Sequence, residues 1–296
     1  MILLIGATSF LGPSVIEKFI DSGQDIKFMI RAENRSRSLS DIVDNSGGKA
    51  SFIGGDLLDP DSMIDALKGV SGIVYMVDLV KTDLLENFLS AVSRTRVKRA
   101  VFISSTTVLL PTKSDVKEKK LQSEKLIKES GLDHTILRPT MIYGVSGDPN
   151  FSKMLEFIKR RGFFITFGNG RNLIQPVYTG DVAQAVLDTF SNRATYNMVY
   201  ELAGKKSLEY NDMIKIVRET SGIDFKVFRF PIGPSKAFVS IFGRLSKRFS
   251  LTPGQIERMG IDKAYSYEDA RRDFNFSPIS FEEGIKKLIK NMGELS

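Results

Sequence analysis

Four apolar residues, Ile2–Ile5, run directly into Gly6, and a second glycine, Gly12, follows one short turn later. An apolar run without alternation reads as a strand buried on both faces, as at the centre of a parallel sheet. From Phe10 to Ser22 the apolar residues Leu11, Val15, Ile16, Phe19 and Ile20 fall at helical spacing, and Gly23 stops the pattern. The order strand, glycine turn, helix constrains what the turn can do. Gly6 permits a tight reversal, Gly12 lets the helix approach the sheet, and the backbone N–H groups at the helix start face outward toward an anion. The stretch Gly6-Ala7-Thr8-Ser9-Phe10-Leu11-Gly12 is therefore predicted to cradle a pyrophosphate, with Gly6, Thr8, Ser9, Phe10, Leu11 and Gly12 as the contacting residues. The competing reading is an ordinary strand-to-helix turn.

The same alternation continues along the first half. Ile26–Ile30, Ala50–Ile53, Gly72–Val77, Ala100–Ser104 and Thr135–Arg138 read as strands. Helical patterns run from Pro60 to Leu67, over Leu84–Ser93 and over Lys117–Lys128. After Tyr143 the alternation weakens, and helices are expected at Phe151–Arg160, Val182–Phe190, Asn211–Thr220 and Phe281–Asn291. This pattern predicts an α/β chain with a Rossmann-type, doubly wound parallel sheet. The dinucleotide-binding domain is expected over 1–144, with 173–204 returning to it. A smaller C-terminal α+β substrate or lid domain is expected from 145–172 and 205–296.

Composition excludes several chemistries. The absence of Cys removes disulfides, thiol nucleophiles and thiolate metal sites. One His leaves no histidine-based metal site, so no metal is expected. The N-terminus has neither a basic leader nor a small-residue cleavage site, and no apolar run reaches membrane-spanning length; a cytoplasmic location is expected. The formal charge of +7 could attract anions, but its Lys and Arg are scattered and no nucleic-acid motif accompanies them. A solvated basic surface, with no nucleic-acid partner, is the expectation.

Several stretches together resemble the extended short-chain dehydrogenases/reductases, which include nucleotide-sugar epimerases and dehydratases and the NmrA-like proteins. GATSFLG is similar to their glycine loop, with Ser9 where the middle glycine usually stands. GGDLLDPDSMIDALKGV, AVFISSTTV, LDHTILRPTMIYG, IQPVYTGDVAQAVL and DARRDFNFSPISFEEGI resemble further family segments in family order, over nearly the whole chain. The resemblance implies a dinucleotide cofactor, with Asp56 and Leu57 beside the adenine, and a nucleotide sugar or small carbonyl compound as substrate. At the end of the second strand an acid would favour NAD and a base NADP. This strand ends in Arg31, with Arg35 and Arg37 following, so NADP(H) is expected over NAD(H) through Arg31 and Arg35. Glu33 is the competing acid.

Such enzymes use a Ser, a Tyr and a Lys: Tyr exchanges a proton with the substrate oxygen, Lys supports Tyr and the ribose, and Ser binds the reacting oxygen. The resemblance assigns Ser105 to the Ser role and Lys120 to the Lys role, both as catalytic candidates, with Lys120 also a cofactor ligand. Glu124 follows Lys120 at the family's four-residue spacing. The Tyr position then falls on Val116, and no Tyr occurs between Tyr75 and Tyr143. This implies an NADP-dependent oxidoreductase or epimerase-like protein working without the phenol. The alternatives are a non-catalytic redox sensor or a structural accessory subunit.

Three features are read as structural first. His134 precedes a buried strand and is expected to pack. Arg161-Gly162-Phe163-Phe164-Ile165 is expected to be domain core. Residues 236–249 carry Phe238, Ile241, Phe242, Leu245 and Phe249 at helical spacing with Lys and Arg between them. A basic helix of this kind is either a domain helix with a solvated face or a weak membrane- or protein-docking element.

Overall fold

The computed structural model describes residues 1–31, 37–242 and 252–293. Along the chain the elements are β1 (Ile2–Ile5), α1 (Gly12–Asp21), β2 (Ile26–Ile30), α2 (Arg37–Asp44), β3 (Ala50–Gly54), α3 (Pro60–Ala66), β4 (Gly72–Tyr75), α4 (Thr82–Ser93), β5 (Arg99–Ile103), α5 (Asp115–Glu129) and β6 (Asp133–Pro139). There follow β7 (Ile142–Tyr143), α6 (Phe151–Arg161), β8 (Phe163–Phe167), β9 (Leu173–Ile174), β10 (Val177–Tyr178), α7 (Thr179–Phe190) and β11 (Met198–Leu202). The last third contains β12 (Leu208–Glu209), α8 (Tyr210–Ser221), β13 (Lys226–Phe230), α9 (Ile232–Phe242), α10 (Pro253–Met259), α11 (Glu268–Phe274) and α12 (Phe281–Asn291).

Seven strands form one parallel sheet in the order β11-β6-β5-β4-β1-β2-β3. The order reverses at β1, whose neighbours are β2 on one side and β4 on the other. Helices cover both faces, as the unbroken apolar strands require. Leu3 and Ile5 join Tyr75, Phe88, Phe102 and Ile127 in a cluster between the sheet and α3, α4 and α5. Phe19 of α1 packs edge-on against Phe190 of α7, at 5.7 Å between ring centroids. Arg99 is buried and donates to the carbonyls of Phe190 at 2.9 Å and Asp133 at 2.8 Å. It thereby satisfies backbone acceptors at the end of α7.

The contacts divide the chain into two units. The first comprises 1–140, 179–202 and 266–277; the second comprises 141–178, 203–265 and 278–296. The segment 266–277, expected in the smaller domain, belongs to the first unit. Its Phe274 packs edge-on against Tyr200, whose hydroxyl donates to Asp273 at 2.8 Å. Residues 141–144 and 173–178, expected in the dinucleotide domain, lie in the second unit, where β7 and β10 pair with each other.

The second unit holds three two-stranded sheets, β7–β10, β9–β12 and β8–β13, around a core that includes Tyr143, Phe151, Leu155, Val217 and Ile285. Buried Asp148 accepts N–H bonds from Asn150 at 2.9 Å and Phe151 at 2.8 Å, which fixes the entry into α6. The run 161–165 is only partly core: Phe163 and Phe164 are half-buried and Ile165 is exposed, because β8 has only β13 as a partner and leaves one face uncovered. Of the segment 236–249, α9 covers the beginning, and 243–249 lie outside the described residues. Among the described residues no helix is long and apolar enough to cross a membrane.

Candidate dinucleotide site

The glycine loop makes two sharp turns. Ser9 N–H donates to the Gly6 carbonyl at 2.9 Å, and Gly12 N–H donates to the Ser9 carbonyl at 3.0 Å. Gly6 has a positive φ of 86°, and a Cβ there would lie 2.9 Å from the Met76 backbone. At Gly12 a Cβ would fall 2.0 Å from the Ala7 carbonyl oxygen. Helix and loop therefore touch through backbone alone. The turns also delay the helix, which starts at Gly12 rather than at Phe10. Pro13 sits in its first turn, where a missing N–H costs nothing. No side chain caps the helix start and no acid occupies its first turn, so its positive end meets no competing protein anion.

A cleft of about 450 Å³ opens at the carboxyl ends of β1, β2, β3 and β4, where the strand order reverses. Open α/β sheets bind their ligands at this position. Gly6, Thr8, Ser9, Arg31, Asp56 and Leu57 all line it. Asp56 is held in place: its carboxylate accepts the Leu58 N–H at 3.0 Å, and its own N–H donates to Ser62 Oγ at 3.0 Å. Phe10, Leu11 and Gly12 do not line the cleft; Leu11 and Gly12 are buried beneath the loop, and Phe10 points out. Arg35 lies outside the described residues.

α5 brings the other candidates together. Ser114 caps it by accepting the Lys117 N–H at 3.2 Å, so the helix begins at Asp115, two residues before the start expected from its apolar pattern. Lys120 and Glu124, one turn apart, share its buried face. Glu124 accepts Ser104 Oγ at 2.6 Å and takes two bonds from Arg138, Nε at 3.0 Å and Nη2 at 2.5 Å. Arg138 also pairs with Glu201 at 3.0 Å. Burial disfavours the charged guanidinium, but the bonds and charges of Glu124 and Glu201 outweigh it and raise the Arg138 pKa. Val116, to which the resemblance assigns the tyrosine position, is 43% exposed.

Lys120 Nζ donates to Asp78 Oδ1 at 2.6 Å. Asp78 follows β4, lines the cleft, and was not singled out by the sequence reading. Its place was legible in principle, since it stands just beyond the carboxyl end of a central strand. Burial would raise its pKa, but the hydrogen bond and charge of Lys120, the Val80 N–H and Lys81 together hold it below the usual carboxylate range. A depressed pKa means that this pair supports the fold at neutral pH and loses its contribution as pH falls through the depressed value. Asp78 is largely exposed, so solvent screens that contribution.

Ser9 Oγ and Ser105 Oγ are both buried and have no hydrogen-bond partner among the described residues. Buried hydroxyls are normally satisfied, and Ser9, which lines the cleft, is a position where a ligand's acceptors or donors fit, whereas Ser105 and Lys120 are not among the residues that line it. Together with the side-chain-free glycine cradle, Ser9 suits a phosphate-bearing dinucleotide. The remaining candidates are structural: His134 is buried beside the Leu132 carbonyl, and burial lowers its pKa. Tyr143 is buried in the second unit, its hydroxyl donating to the Phe281 carbonyl at 3.2 Å.

A parallel sheet with its cleft at the strand-order reversal and a glycine loop lining it defines a Rossmann-type dinucleotide-binding protein. The profile of the NAD(P)H-binding family matches residues 6–156, and the chain belongs to that family, within the extended short-chain dehydrogenases/reductases. It is 27% identical to the photosystem II assembly factor Ycf39 of Cyanophora paradoxa, over 78% of this chain and 72% of that protein. It is 25% identical to the N-acetyl-alpha-D-glucosaminyl-diphospho-ditrans,octacis-undecaprenol 4-epimerase of Escherichia coli O157:H7, over 98% and 94%. In fold it is similar to the UDP-glucose 4-epimerase of Thermotoga maritima, with a TM-score of 0.75 and 19% identity over 98% and 97% of the two chains. The UDP-glucuronic acid 4-epimerase of Bacillus cereus, solved with UDP-glucuronic acid and NAD, gives 0.77 and 16% over 100% and 99%.

Proposed function

We propose that this chain holds NADP(H) as a bound ligand and acts as a dinucleotide-loaded regulator or scaffold rather than by the family's phenol-based turnover. The observation that carries this reading is at α5: Val116 stands at the phenol's place, facing solvent, and the Lys120 ammonium is engaged by Asp78 at 2.6 Å. A relative named as an assembly factor supports it, since that name describes a role other than catalysis. Gly6, Thr8 and Ser9 would hold the pyrophosphate, with Gly12 setting the shape of their loop, Asp56 and Leu57 the adenine end, and Lys120 with Ser105 the nicotinamide end. Purified protein should bind NADPH in a calorimeter yet show no NADPH oxidation with a panel of carbonyl compounds and nucleotide sugars. Turnover clearly above the buffer rate would overturn the reading.

A second reading, an oxidoreductase or epimerase-like enzyme without the phenol, is favoured by Ser105, whose buried hydroxyl has no partner among the described residues. A bound nicotinamide supplies or accepts a hydride. Ser105 and Lys120 would then be the groups left to orient the reacting oxygen and handle its proton. On this reading Lys120→Ala removes on the order of 10²-fold or more of the activity, and Val116→Tyr raises it. Wild-type activity that survives Lys120→Ala would exclude Lys120 from the chemistry.

The preference for NADP(H) over NAD(H) rests on Arg31, which lines the cleft at the end of β2. A guanidinium there suits a 2′-phosphate. Arg31→Ala is expected to weaken NADPH binding by roughly 10- to 150-fold, the equivalent of about 1.5–3 kcal/mol for a hydrogen bond to a charged group, and to leave NADH binding nearly unchanged. Equal losses for both cofactors in a parallel titration would remove the argument.

A further inference from the structure

The positive charge of this protein is unevenly divided. The second unit carries 20 Lys and Arg against 11 Asp and Glu, whereas the first carries 22 against 24. Along the sequence the excess is densest from β13 onward, with Lys226, Arg229 and Lys236 among the described residues. Between 225 and 256 the sequence has six Lys or Arg and no Asp or Glu. The cationic end of α6, Lys159-Arg160-Arg161, leads straight into β8, and Lys226 N–H donates to the Gly162 carbonyl at 3.0 Å.

The two-stranded sheet at this place has one face covered and one open. β8 and β13 are parallel, with Phe163 opposite Lys226, Ile165 opposite Phe228 and Phe167 opposite Phe230. Alternation puts these residues on one face. On the other face Phe164 and Val227 pack against the unit's core. The open face is strongly apolar: Ile165 is 40% exposed, and Phe228 and Phe230 are each 47% exposed. Phe238 of α9, 50% exposed, extends it, and an apolar groove of about 490 Å³ runs between Ile165, Phe230, Pro234 and Phe238. Clustered apolar exposure beside cations marks an interaction surface.

We propose that the open face of β8–β13, with α9, docks on an anionic lipid surface. The Phe and Ile side chains enter the headgroup–acyl boundary while Arg160, Arg161 and Lys226 meet the lipid phosphates. Charge complementarity selects the anionic partner. The groove favours lipid over nucleic acid, because beside its Phe rings it is lined by Ile165, Pro231, Pro234 and Val239, with Ser235 as its one hydroxyl and no amide or charged side chain to read base edges. Lys236 is engaged by Glu257 at 3.0 Å and is not needed for this contact.

The test is vesicle flotation with the full chain, on phosphatidylcholine alone and on phosphatidylcholine mixed with phosphatidylglycerol, at low and high salt. Binding is expected only to the mixed vesicles and should weaken with salt. Each basic residue near the surface is worth about fivefold, so Arg161→Glu with Lys226→Glu should weaken binding by on the order of thirtyfold or more. Phe228→Ser with Phe230→Ser and Phe238→Ser should abolish it while circular dichroism and the unfolding transition of the full chain stay those of wild type, which shows that the variant is folded. Failure to float with the anionic vesicles at low salt overturns the proposal. So does flotation that survives the Phe substitutions, retention of a DNA or RNA oligonucleotide in place of vesicles, or a dimer that the Phe substitutions dissolve.

Discussion

Glu124→Ala is expected to destabilise the protein by about 3–5 kcal/mol, the range for removing one partner of a buried ion pair. Glu124 is buried, and three groups depend on it: Ser104 Oγ and both donors of Arg138. Removing the carboxylate strands these donors between α5 and β6, where water cannot replace it without opening the helix from the sheet. Arg138 keeps Glu201, which places the loss toward the lower end of the range. Glu124→Gln keeps an acceptor without the charge and should lose less. Denaturant unfolding of the three proteins is the measurement. An alanine variant within about 1 kcal/mol of wild type would mean that the network is not what fastens α5.

Gly12→Ala has the next largest expected effect. The new Cβ would sit 2.0 Å from the Ala7 carbonyl oxygen and 2.6 Å from its carbon. Both are backbone atoms, so no side-chain rotation relieves the overlap and α1 must move away from the loop. Overpacking of this kind costs about 1–3 kcal/mol. It also disturbs the turn that presents Ser9, so NADPH binding should fall by far more than stability does. Gly23→Ala is the contrast: nothing lies near its missing Cβ, and it is remote from the cleft, although its φ of 81° brings its own backbone strain. NADPH affinity that survives Gly12→Ala unchanged would detach the loop from the ligand.

Much of the first unit was legible in the sequence because its signals are local and redundant. Each central strand is a continuous apolar run, and glycine ends most of the intervening helices. The glycine loop is identifiable because strand and helix flank it at once. Elements whose support comes from afar were not legible. β11 is a strand because β6 offers it an edge, and nothing in Met198–Leu202 alone announces that. β8 and β13 pair across more than fifty intervening residues, so the Phe-rich run 161–165 alone reads as core and nothing in Lys226–Phe230 marks it as its partner. Within the site, the family resemblance points to Lys120 and Glu124, whereas Asp78 is marked only by its place beyond a central strand, which does not name its partner. The lysine and the aspartate are 42 positions apart and meet because the connection after β4 lies against the middle of α5, where Ser123 also donates to the Leu79 carbonyl.

The two units are threaded through one another: each is assembled from three separate stretches of chain. This has a consequence during synthesis. The first unit cannot acquire its edge strand until Leu202 has left the ribosome, nor α11 until Phe274 has. A nascent chain therefore carries β6 with a bare edge until Leu202 follows, and Tyr200 without its aromatic partner until Phe274 follows. Unpaired edges and long-range pairings are the slow, aggregation-exposed part of folding. A cut after Thr140 would leave β6 without β11 on one fragment and β11 without β6 on the other, so a fragment that keeps the first unit's sheet must run through Leu202.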